Sequence, residues 1–435
     1  MSALNNKKSA FREWIDSIVF AVVAATFIRW LLLEAYTIPS SSMEKSLLVG
    51  DFLFVSKLHY GARTPGTPLQ VPLTHQTIWG TQIPSFSEAI QLPMFRLPGF
   101  SEVKRNDVVV FNYPGDADET TEDPLIGNGG YKNFPVDLRT NFIKRCVGVA
   151  GDVIEVKDAV VYLNGKAVDF PPKSQVYYRL ESSDLLDDRF FDKEGINSTS
   201  VYPTDSLKPN LFVYRIRATP QTITDLKKYD FIKGVTQISE YPADARSSEM
   251  FPAGLNRNPD FWGPIQIPKK GMTVQLDSIN VVKYGSTIKY FDGNQADKVL
   301  IANGKITIDG KAITSYTFTQ NYYFMMGDNR YESADSRFWG FVPENHVVGK
   351  AVFIWMSIDP DPKSVLNKIR WNGWKPVNNK HERDVRAIYF LVNTAGSLLI
   401  ISTNGEVRAI CFLVNTAGSL LIISTNGTFA LSIFL

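Results

Sequence analysis

The feature that most constrains this chain is an apolar run close to its N-terminus. Residues 17–33 read SIVFAVVAATFIRWLLL, and only Thr26 and Arg29 interrupt the run. Extended to Ile38, the run has about 20 residues, which is the length needed to cross the hydrocarbon core of a bilayer. Arg29 lies toward the C-terminal end, where its side chain can reach the membrane interface. We therefore predict a transmembrane signal anchor over residues 15–36.

Two other interpretations of the run are less well supported. A cleavable signal peptide needs a small-x-small cleavage site, and none follows the run. A buried core helix remains an alternative. The basic residues Lys7, Lys8 and Arg12 precede the run. Positive charges favour the cytoplasmic side, so residues 1–14 are predicted in the cytoplasm and everything after residue 36 on the outer face.

Composition excludes several classes of protein. The 435 residues carry a net charge of +2, so no electrostatic argument supports nucleic-acid binding. Hydrophobic residues are 44% and charged residues 21% of the chain, which is typical of a folded protein with an ample core. Cys146, Cys411 and four scattered histidines support neither a disulfide framework, nor a metal site, nor a Ser-His-Asp triad. No cofactor is expected, and the pairing of the two cysteines is left open.

Downstream of the anchor the pattern is mainly β. Apolar and β-branched runs predict strands at 52–58, 108–114, 141–149, 153–156, 160–163, 322–326 and 347–356. Residues 61–101 and 115–136 are rich in turn-forming residues and predict long loops. One helix is predicted near residues 220–229, with Thr222 or Thr224 as its N-terminal cap.

The order of these elements indicates a core that is interrupted by an insert. Residues 306–311 repeat the turn chemistry of residues 162–166, so we expect the two segments to close on each other. The residues between them, 168–304, then form an inserted β-rich cap domain in which we recognise no chemical motif. The core is accordingly predicted in two parts, 37–167 and 305–370.

Residues 371–435 form a tail that contains a tandem repeat. The sequence VRAIYFLVNTAGSLLIISTNG occurs within residues 385–406 and again within 407–428, with Tyr389 replaced by Cys411. Two copies are too few for a solenoid. The tail is either a duplication unrelated to the fold or a second membrane-associating segment, and the sequence does not separate the two.

Three polar features of the chain combine into a possible hydrolytic site. They are the stretch IPSSSMEKSL at residues 38–47, Lys144 within an apolar strand pattern, and the cluster GDNRYESADSR at residues 327–337. Alone, each has an ordinary interpretation as a turn, a surface lysine or a polar loop. A serine needs a base to act as a nucleophile, however, and a lysine whose pKa is lowered by burial can be that base.

Together with the anchor, these features resemble the bacterial type I signal peptidases of peptidase family S26, membrane-bound serine proteases that remove signal peptides from exported proteins. The matching stretches are the anchor, Pro39–Met43, Arg105–Pro114, Phe142–Asp152 and Gly327–Gly340. The resemblance covers most of residues 10–165 and 305–357, and the long insert resembles the Bacteroidetes-type members. It implies an N-terminal transmembrane helix followed by a catalytic β-core. It also implies the bacterial inner membrane as location, and exported preproteins and membrane lipid as partners.

The resemblance implies a role for each site residue. Ser42 is the nucleophile, Lys144 is the general base, and Ser333 orients the lysine ammonium. Ser40 and the backbone N–H of Ser42 form the oxyanion hole. Apolar pockets that select small side chains are lined by Ile38, Pro39, Met43, Leu47 and Ile143. The residues implied to hold the final motif in place are Gly327, Asp328, Asn329, Asp335 and Arg337, with an ion pair between the last two. No carboxylate is expected close to Lys144, because a counter-charge would keep it protonated.

The chain departs from the family pattern at Lys45-Ser46, where members often have Pro-Thr, so a fixed φ is lost. Two other functions compete with proteolysis of preproteins. A self-cleaving Ser/Lys repressor of related fold would need a DNA-binding helix pair, and the sequence shows none. A catalytically silent, membrane-tethered domain that binds peptides or partners would carry the same anchor and β pattern. The intact serines and lysine favour the protease.

Overall fold

The fold is described from a computed structural model of the chain. The structure describes residues 9–115, 134–197, 201–204, 211–252, 254–255, 257–293, 298–362, 368–373 and 375–377, and the backbone of five strands between residues 389 and 433. Most of the predicted loop 115–136 lies outside these ranges, as do residues 1–8 and all side chains of the tandem repeat.

The described elements are predominantly strands, which confirms the predicted mainly β fold class. The helices are α1 (Ala10–Leu31), α2 (Asp188–Lys193), α3 (Pro220–Leu226), α4 (Ser278–Tyr290) and α5 (Ser336–Trp339). The first strands are β1 (Leu33–Thr37), β2 (Asp51–Ser56), β3 (Val108–Asn112), β4 (Asn141–Gly148), β5 (Val153–Lys157), β6 (Val160–Leu163), β7 (Lys166–Ala167), β8 (Val176–Ser182), β9 (Val201–Thr204), β10 (Phe212–Ala218), β11 (Ile232–Gln237) and β12 (Trp262–Gln266). The following strands are β13 (Thr273–Gln275), β14 (Val299–Ala302), β15 (Lys305–Ile308), β16 (Lys311–Ile313), β17 (Ser315–Thr317), β18 (Tyr322–Met326), β19 (Val342–Pro343), β20 (Val347–Ser357) and β21 (Lys375–Pro376). The tail contributes β22 (Tyr389–Val392), β23 (Leu398–Asn404), β24 (Glu406–Val414), β25 (Leu420–Ser424) and β26 (Ala430–Ile433), which pair in that order.

Helix α1 carries the predicted anchor. Ser9 caps its N-terminus by accepting a hydrogen bond from the backbone N–H of Arg12 at 3.3 Å. Residues Phe11–Leu31 are long and apolar enough to cross a membrane, with a mean hydropathy of 1.6. None of this apolar window is buried inside the protein, whereas a core helix would be mostly buried. The helix is therefore consistent with a single-pass membrane anchor.

The largest described sheet has the order β1-β2-β20-β3-β4-β18-β19, and β21 pairs with β20. Every residue of β3 is buried, so both faces of the sheet are covered and the strand has a continuous apolar run instead of an alternating one. Cys146 on β4 is free and has no exposed surface. The side chain of Cys411 lies outside the described residues.

A second sheet, β12-β5-β6-β7, joins the predicted core to part of the predicted insert. Ile265 on β12 pairs with Ile154 on β5, and both lie in one apolar cluster with residues of β18 and α4. Strand β15 pairs with β14 and β16, and not with the β6–β7 hairpin on which it was expected to close. Ile306 still shares that apolar cluster with Leu163, so the two segments pack without exchanging strand hydrogen bonds.

The third sheet, β11-β8-β10-β9, lies within the predicted insert, and we call it the cap sheet. Its apolar cluster is formed with α2 and α3. Helix α3 begins after Thr219, whose side chain accepts a hydrogen bond from the backbone N–H of Thr222. The predicted caps, Thr222 and Thr224, are therefore wrong. Pro220 takes the first helical position, where its missing N–H costs nothing, and this places the cap one residue earlier.

Candidate active site

Ser42 lies in a closed loop between the edge strand β1 and its neighbour β2. We call residues 38–50 the Ser42 loop. At its neck the backbone N–H of Ile38 donates to the carbonyl of Asp51, and the N–H of Gly50 donates to the carbonyl of Ile38, each at 2.9 Å. These two bonds continue the β1–β2 ladder past its last pair. The loop therefore leaves a rigid sheet edge at a fixed point.

Anchors inside the protein fix the floor of the Ser42 loop. Met43 and Leu47 have no exposed surface, and the Ser46 hydroxyl donates to the Asp328 carboxylate at 2.5 Å. Lys45 has a φ of 67°, in the left-handed region. A proline ring holds φ near −65°, so the proline that the family resemblance implies at this position would not fit this backbone.

Lys144 lies on β4 and reaches Ser42 directly. It stands opposite Val109 in the β3–β4 ladder, in the half of the strand that is buried throughout. Its Nζ atom is 2.7 Å from the Oγ atom of Ser42. Lys144 is 4% and Ser42 7% exposed, and the ring of Phe142 lies 5.3 Å from Nζ. The amine and the hydroxyl therefore meet where bulk water hardly reaches.

Burial lowers the pKa of Lys144 from 10.5 to about 8, because the charged form loses its hydration. The negative charges of Asp335 and Asp328 act in the opposite direction. Among the described residues no carboxylate forms an ion pair or a hydrogen bond with Lys144, so these two charges act on it only through space. Each of the two carboxylates is bound by its own arginine, Arg337 or Arg145, and burial prevails.

The cluster at residues 327–337 is held by these two buried ion pairs. Asp328 accepts hydrogen bonds from Nε and Nη2 of Arg145 at 2.7 and 2.6 Å. Asp335 accepts from Nε and Nη2 of Arg337, both at 2.9 Å, and caps helix α5. Burial raises the pKa of both carboxyls, but their arginines outweigh it and the net shift is downward. Both acids are therefore ionised and fixed.

This cluster contacts the backbone of Ser42. The N–H of Asn329 donates to the carbonyl oxygen of Ser42 at 3.0 Å. Gly327 passes so close that a Cβ atom there would lie 2.6 Å from that oxygen and 2.2 Å from the Oγ atom of Ser333. Only glycine fits this space. The missing side chain of residue 327 therefore lets Ser333 and the backbone of Ser42 approach the same side of Gly327.

The two auxiliary serines differ in their surroundings. Ser333 is 6% exposed, and its Oγ atom has no hydrogen-bond partner among the described residues. Ser40 is exposed, with its Oγ atom 3.5 Å from that of Ser42, at the outer limit of a hydrogen bond. Neither serine contacts Lys144 in a bond that the structure records. Their predicted roles remain predictions.

The predicted pocket residues lie together around the Ser42 loop. Ile38, Met43 and Leu47 are buried in one apolar cluster, and Ile143 is partly buried against it. Pro39 is exposed. In this conformation Pro39 and Ile143 offer apolar surface to a ligand, whereas Met43 and Leu47 have no exposed surface.

No sequence pattern points to two further side chains near the site, Arg217 on β10 and Glu332. Their ion pair links the cap sheet to the Ser42 loop. Glu332 falls inside the polar cluster at residues 327–337 and could have been examined for that reason. Arg217 is one of several charged residues in alternating strands, and nothing in the sequence distinguishes it.

Comparison with known proteins places this geometry in a family. The family model described as "Signal peptidase, peptidase S26" matches residues 11–206 and 314–356, and residues 207–313 fall between the two matched segments. Signal peptidase I of Haemophilus influenzae is 26% identical over 357 residues, covering 80% of this chain and 70% of that protein. Signal peptidase I of Aquifex aeolicus is 24% identical over 368 residues, covering 82% and 91%.

The matched segments are those that carry the anchor, Ser42, Lys144 and the cluster from Gly327, and they amount to more than half of the chain. The unmatched residues between the two segments, 207–313, include most of the predicted insert, whereas its first part, 168–206, lies within the matched segment. On this evidence the chain belongs to the signal peptidase I family, peptidase S26.

Proposed function

We propose that this protein is a membrane-bound serine endopeptidase that removes N-terminal signal peptides from exported preproteins, cutting after small-x-small sites. The observation that carries the proposal is the 2.7 Å contact between Nζ of Lys144 and Oγ of Ser42, in a buried setting. A lysine with a pKa of about 8 is neutral in a useful fraction of molecules near neutral pH. It therefore supplies the base that a serine nucleophile requires.

In the first half of the reaction the hydroxyl of Ser42 donates its proton to neutral Lys144, while Oγ attacks the carbonyl carbon of the scissile bond. The lysine ammonium then protonates the leaving amine as the peptide bond breaks. Ser333 is proposed to accept a hydrogen bond from this ammonium. Its buried and unpartnered hydroxyl has the capacity for such a bond.

The amine that leaves in the first half is the new N-terminus of the mature protein, and the signal peptide stays on Ser42 as an acyl ester. In the second half, neutral Lys144 takes a proton from water, which attacks this ester; the proton then returns to Oγ of Ser42 as the ester bond breaks and the signal peptide is released. In both halves a tetrahedral oxyanion forms. The backbone N–H of Ser42 and the hydroxyl of Ser40 are the proposed donors, and each such donor typically contributes about 3 kcal/mol to the transition state.

Substrate specificity is proposed to come from the surface around Pro39 and Ile143. Met43 and Leu47 have no exposed surface and belong to the apolar cluster against which Ile143 packs, so we propose that a bound side chain finds little depth there. Shallow pockets favour small side chains such as alanine. Strand β1 pairs only with β2 among the described strands and leads directly into the Ser42 loop, so an extended peptide can add to this edge.

The proposed location is the bacterial inner membrane, with residues 1–14 in the cytoplasm and the catalytic domain on the outer face. Helix α1 ends at Leu31 and Ser42 follows only eleven residues later. The cleft is therefore close to the bilayer surface, where a signal peptide ends. The basic residues upstream of α1 favour this orientation.

The test is cleavage of a model preprotein with an Ala-x-Ala site by the full chain in detergent, comparing wild type with Ser42→Ala and Lys144→Ala. We expect cleavage by wild type alone. Equal activity in all three would refute the assignment of the two residues. An inactive but folded wild type that still binds the preprotein would instead indicate a peptide-binding domain.

A further inference from the structure

The cap sheet is connected to the Ser42 loop by a short series of polar contacts. On β10, Nη1 of Arg217 lies 2.5 Å from Oε1 of Glu332. The Arg217 side chain is only 9% exposed, and burying a guanidinium without a counter-charge would be costly. Burial acts to raise the pKa of Glu332, but the hydrogen bond and charge of Arg217 outweigh it and the net shift is downward. The pair is therefore ionised on both sides.

The second carboxylate oxygen of Glu332 faces the residue before Ser42. Its Oε2 atom accepts a hydrogen bond from the Ser41 hydroxyl at 3.2 Å and another from Nδ2 of Asn329 at 3.0 Å. The same Nδ2 donates to the carbonyl oxygen of Ser41 at 3.1 Å. Glu332 thus holds both the side chain of Ser41 and the amide that holds its backbone.

A second contact ties the other side of Ser42 to the same region. Nζ of Lys45 donates to the carbonyl oxygen of Gly195, next to α2, at 2.6 Å. Helix α2 and the cap sheet share one apolar cluster. Residues 41 and 45 bracket Ser42, so the loop is held from both sides by groups that the cap region orients.

We propose that the cap sheet is a positioning device for the nucleophile, in which Arg217 acts through Glu332 to hold Ser41 and hence Ser42. This proposal rests on the proposed function of Ser42. Arg217 lies in residues 207–313, outside the segments that the family model matches. Lys45 in the Ser42 loop has a positive φ, so this position cannot be made rigid by a proline. On this proposal the insert supplies the rigidity instead, through Arg217.

The size of the effect follows from the geometry of attack. A nucleophile displaced by about 1 Å can lose roughly a hundredfold in rate, although the substrate pockets are unchanged. Loosening one of two tethers displaces the loop for part of the time, so we expect a loss of about tenfold. The loss falls mainly on kcat and leaves KM nearly unchanged, because Pro39 and Ile143, the pocket residues that offer surface to a ligand, lie outside the tethered residues 41–45.

The experiment is a double-mutant cycle in the full detergent-solubilised chain, with Arg217→Met, Glu332→Gln and the double variant. Each single change should lower kcat about tenfold with KM within twofold. The double variant should be no worse than the poorer single variant, because both changes break the same path. Arg217→Lys should recover most of the rate.

The matched control is Arg179→Met. Arg179 on β8 pairs with Glu181 on the same strand, so this change removes an ion pair that lies entirely within the cap sheet. It should leave kcat at the wild-type value. A loss equal to that of Arg217→Met would overturn the proposal, since it would report general weakening of the cap sheet. Multiplying losses in the double variant would overturn it as well.

Hydrogen exchange of the backbone amides in the Ser42 loop provides a readout that does not depend on cleavage. Exchange at residues 41–47 should be faster in Arg217→Met and Glu332→Gln than in wild type and Arg179→Met. Unchanged exchange would refute the tether. If wild type does not cleave, the proposed function fails and this exchange still decides the positioning role. Glu332→Gln also covers the case in which Arg217→Met does not fold, because Glu332 is 46% exposed.

Discussion

Lys144 and Arg145 are neighbours on β4, but the two side chains have different partners and different proposed roles. Both are buried, with 4% and 2% of their surface exposed. Successive side chains of a strand point to opposite faces. Lys144 meets the hydroxyl of Ser42, which is neutral, whereas Arg145 meets both oxygens of the Asp328 carboxylate.

The difference shows that the partner decides what a buried cation becomes. Without a direct carboxylate partner, burial lowers the pKa of Lys144 to about 8 and turns it into a possible base. A guanidinium does not release its proton in proteins and can bind a carboxylate through two parallel bonds. Arg145 is therefore a structural cation. Exchanging the two side chains would be expected to abolish both roles.

The largest expected effect comes from breaking the paired side of the comparison. Arg145→Met leaves Asp328 buried and without its main counter-charge, so we expect a loss of about 3–5 kcal/mol in the free energy of unfolding. Denaturant unfolding measures it. The control is the double variant Arg145→Met/Asp328→Leu, which removes both charges and should cost clearly less. A single variant as stable as wild type would contradict the structural role of the pair.

The pH dependence of the reaction tests the unpaired side. The base must be neutral, and the pKa of Lys144 is about 8, so kcat/KM should rise with pH up to that value. Well below it the rate should fall about tenfold for each pH unit, and by about fiftyfold between pH 8 and pH 6. A rate that is flat over this range, measured on a peptide substrate, would exclude Lys144 as the titrating base.

Lys144→Met should stabilise the protein while it abolishes activity. The pKa of Lys144 is lower in the folded state than in the unfolded chain, so protonation favours unfolding. The penalty is fully present below pH about 8 and disappears as the pH rises past the ordinary lysine value of 10.5. We expect a gain of about 1–3 kcal/mol at neutral pH. Thermal unfolding at neutral pH and near pH 10.5 measures it, with Ser42→Ala as the control. A loss of stability at neutral pH would mean that Lys144 is buried with its charge satisfied.

The smallest effect concerns Phe142, whose ring lies 5.3 Å from Nζ of Lys144. An aromatic face favours the ammonium over the neutral amine by about 0.5–1 kcal/mol. Phe142→Leu should therefore shift the midpoint of the pH–rate profile down by about half a unit. The contribution of the Arg145–Asp328 ion pair to the free energy of unfolding should be unaffected. Only the packing of the Phe142 ring is lost. An upward shift of the midpoint would mean that access of water outweighs the aromatic contact.

The sequence predicts the parts of the fold that rest on local patterns. The run at Val108–Asn112 is a buried strand, and Pro220 starts a helix, because apolar periodicity and proline act over a few residues. Long-range assembly is not predicted in this way. Neither the pairing of β12 with β5 nor the contact between Arg217 and Glu332 leaves a local signal, since the partners are more than a hundred residues apart.

In the candidate site, too, some features can be predicted from the sequence and others depend on long-range contacts. Ser42 and Lys144 are identified from resemblance, and their 2.7 Å contact agrees with the pairing that it implies. The sequence does not show that the charges of Asp328 and Asp335 act on the pKa of Lys144, nor that each of these acids is already bound by an arginine, because both facts depend on the three-dimensional arrangement. The positive φ of Lys45 is likewise invisible in the sequence.

The order of strands in the main sheet has a consequence for biosynthesis. Strand β20 (Val347–Ser357) lies between β2 and β3 in the main sheet. Strands β1 and β2, which flank the Ser42 loop, are therefore joined to β3 and β4, which carries Lys144, by a strand that is synthesised late. Such distant pairings form slowly, because loop closure precedes any gain from contacts. A nascent chain whose anchor has already entered the membrane therefore carries no assembled site. A chain truncated after residue 340 should accordingly be inactive in the preprotein assay, however well its anchor is inserted.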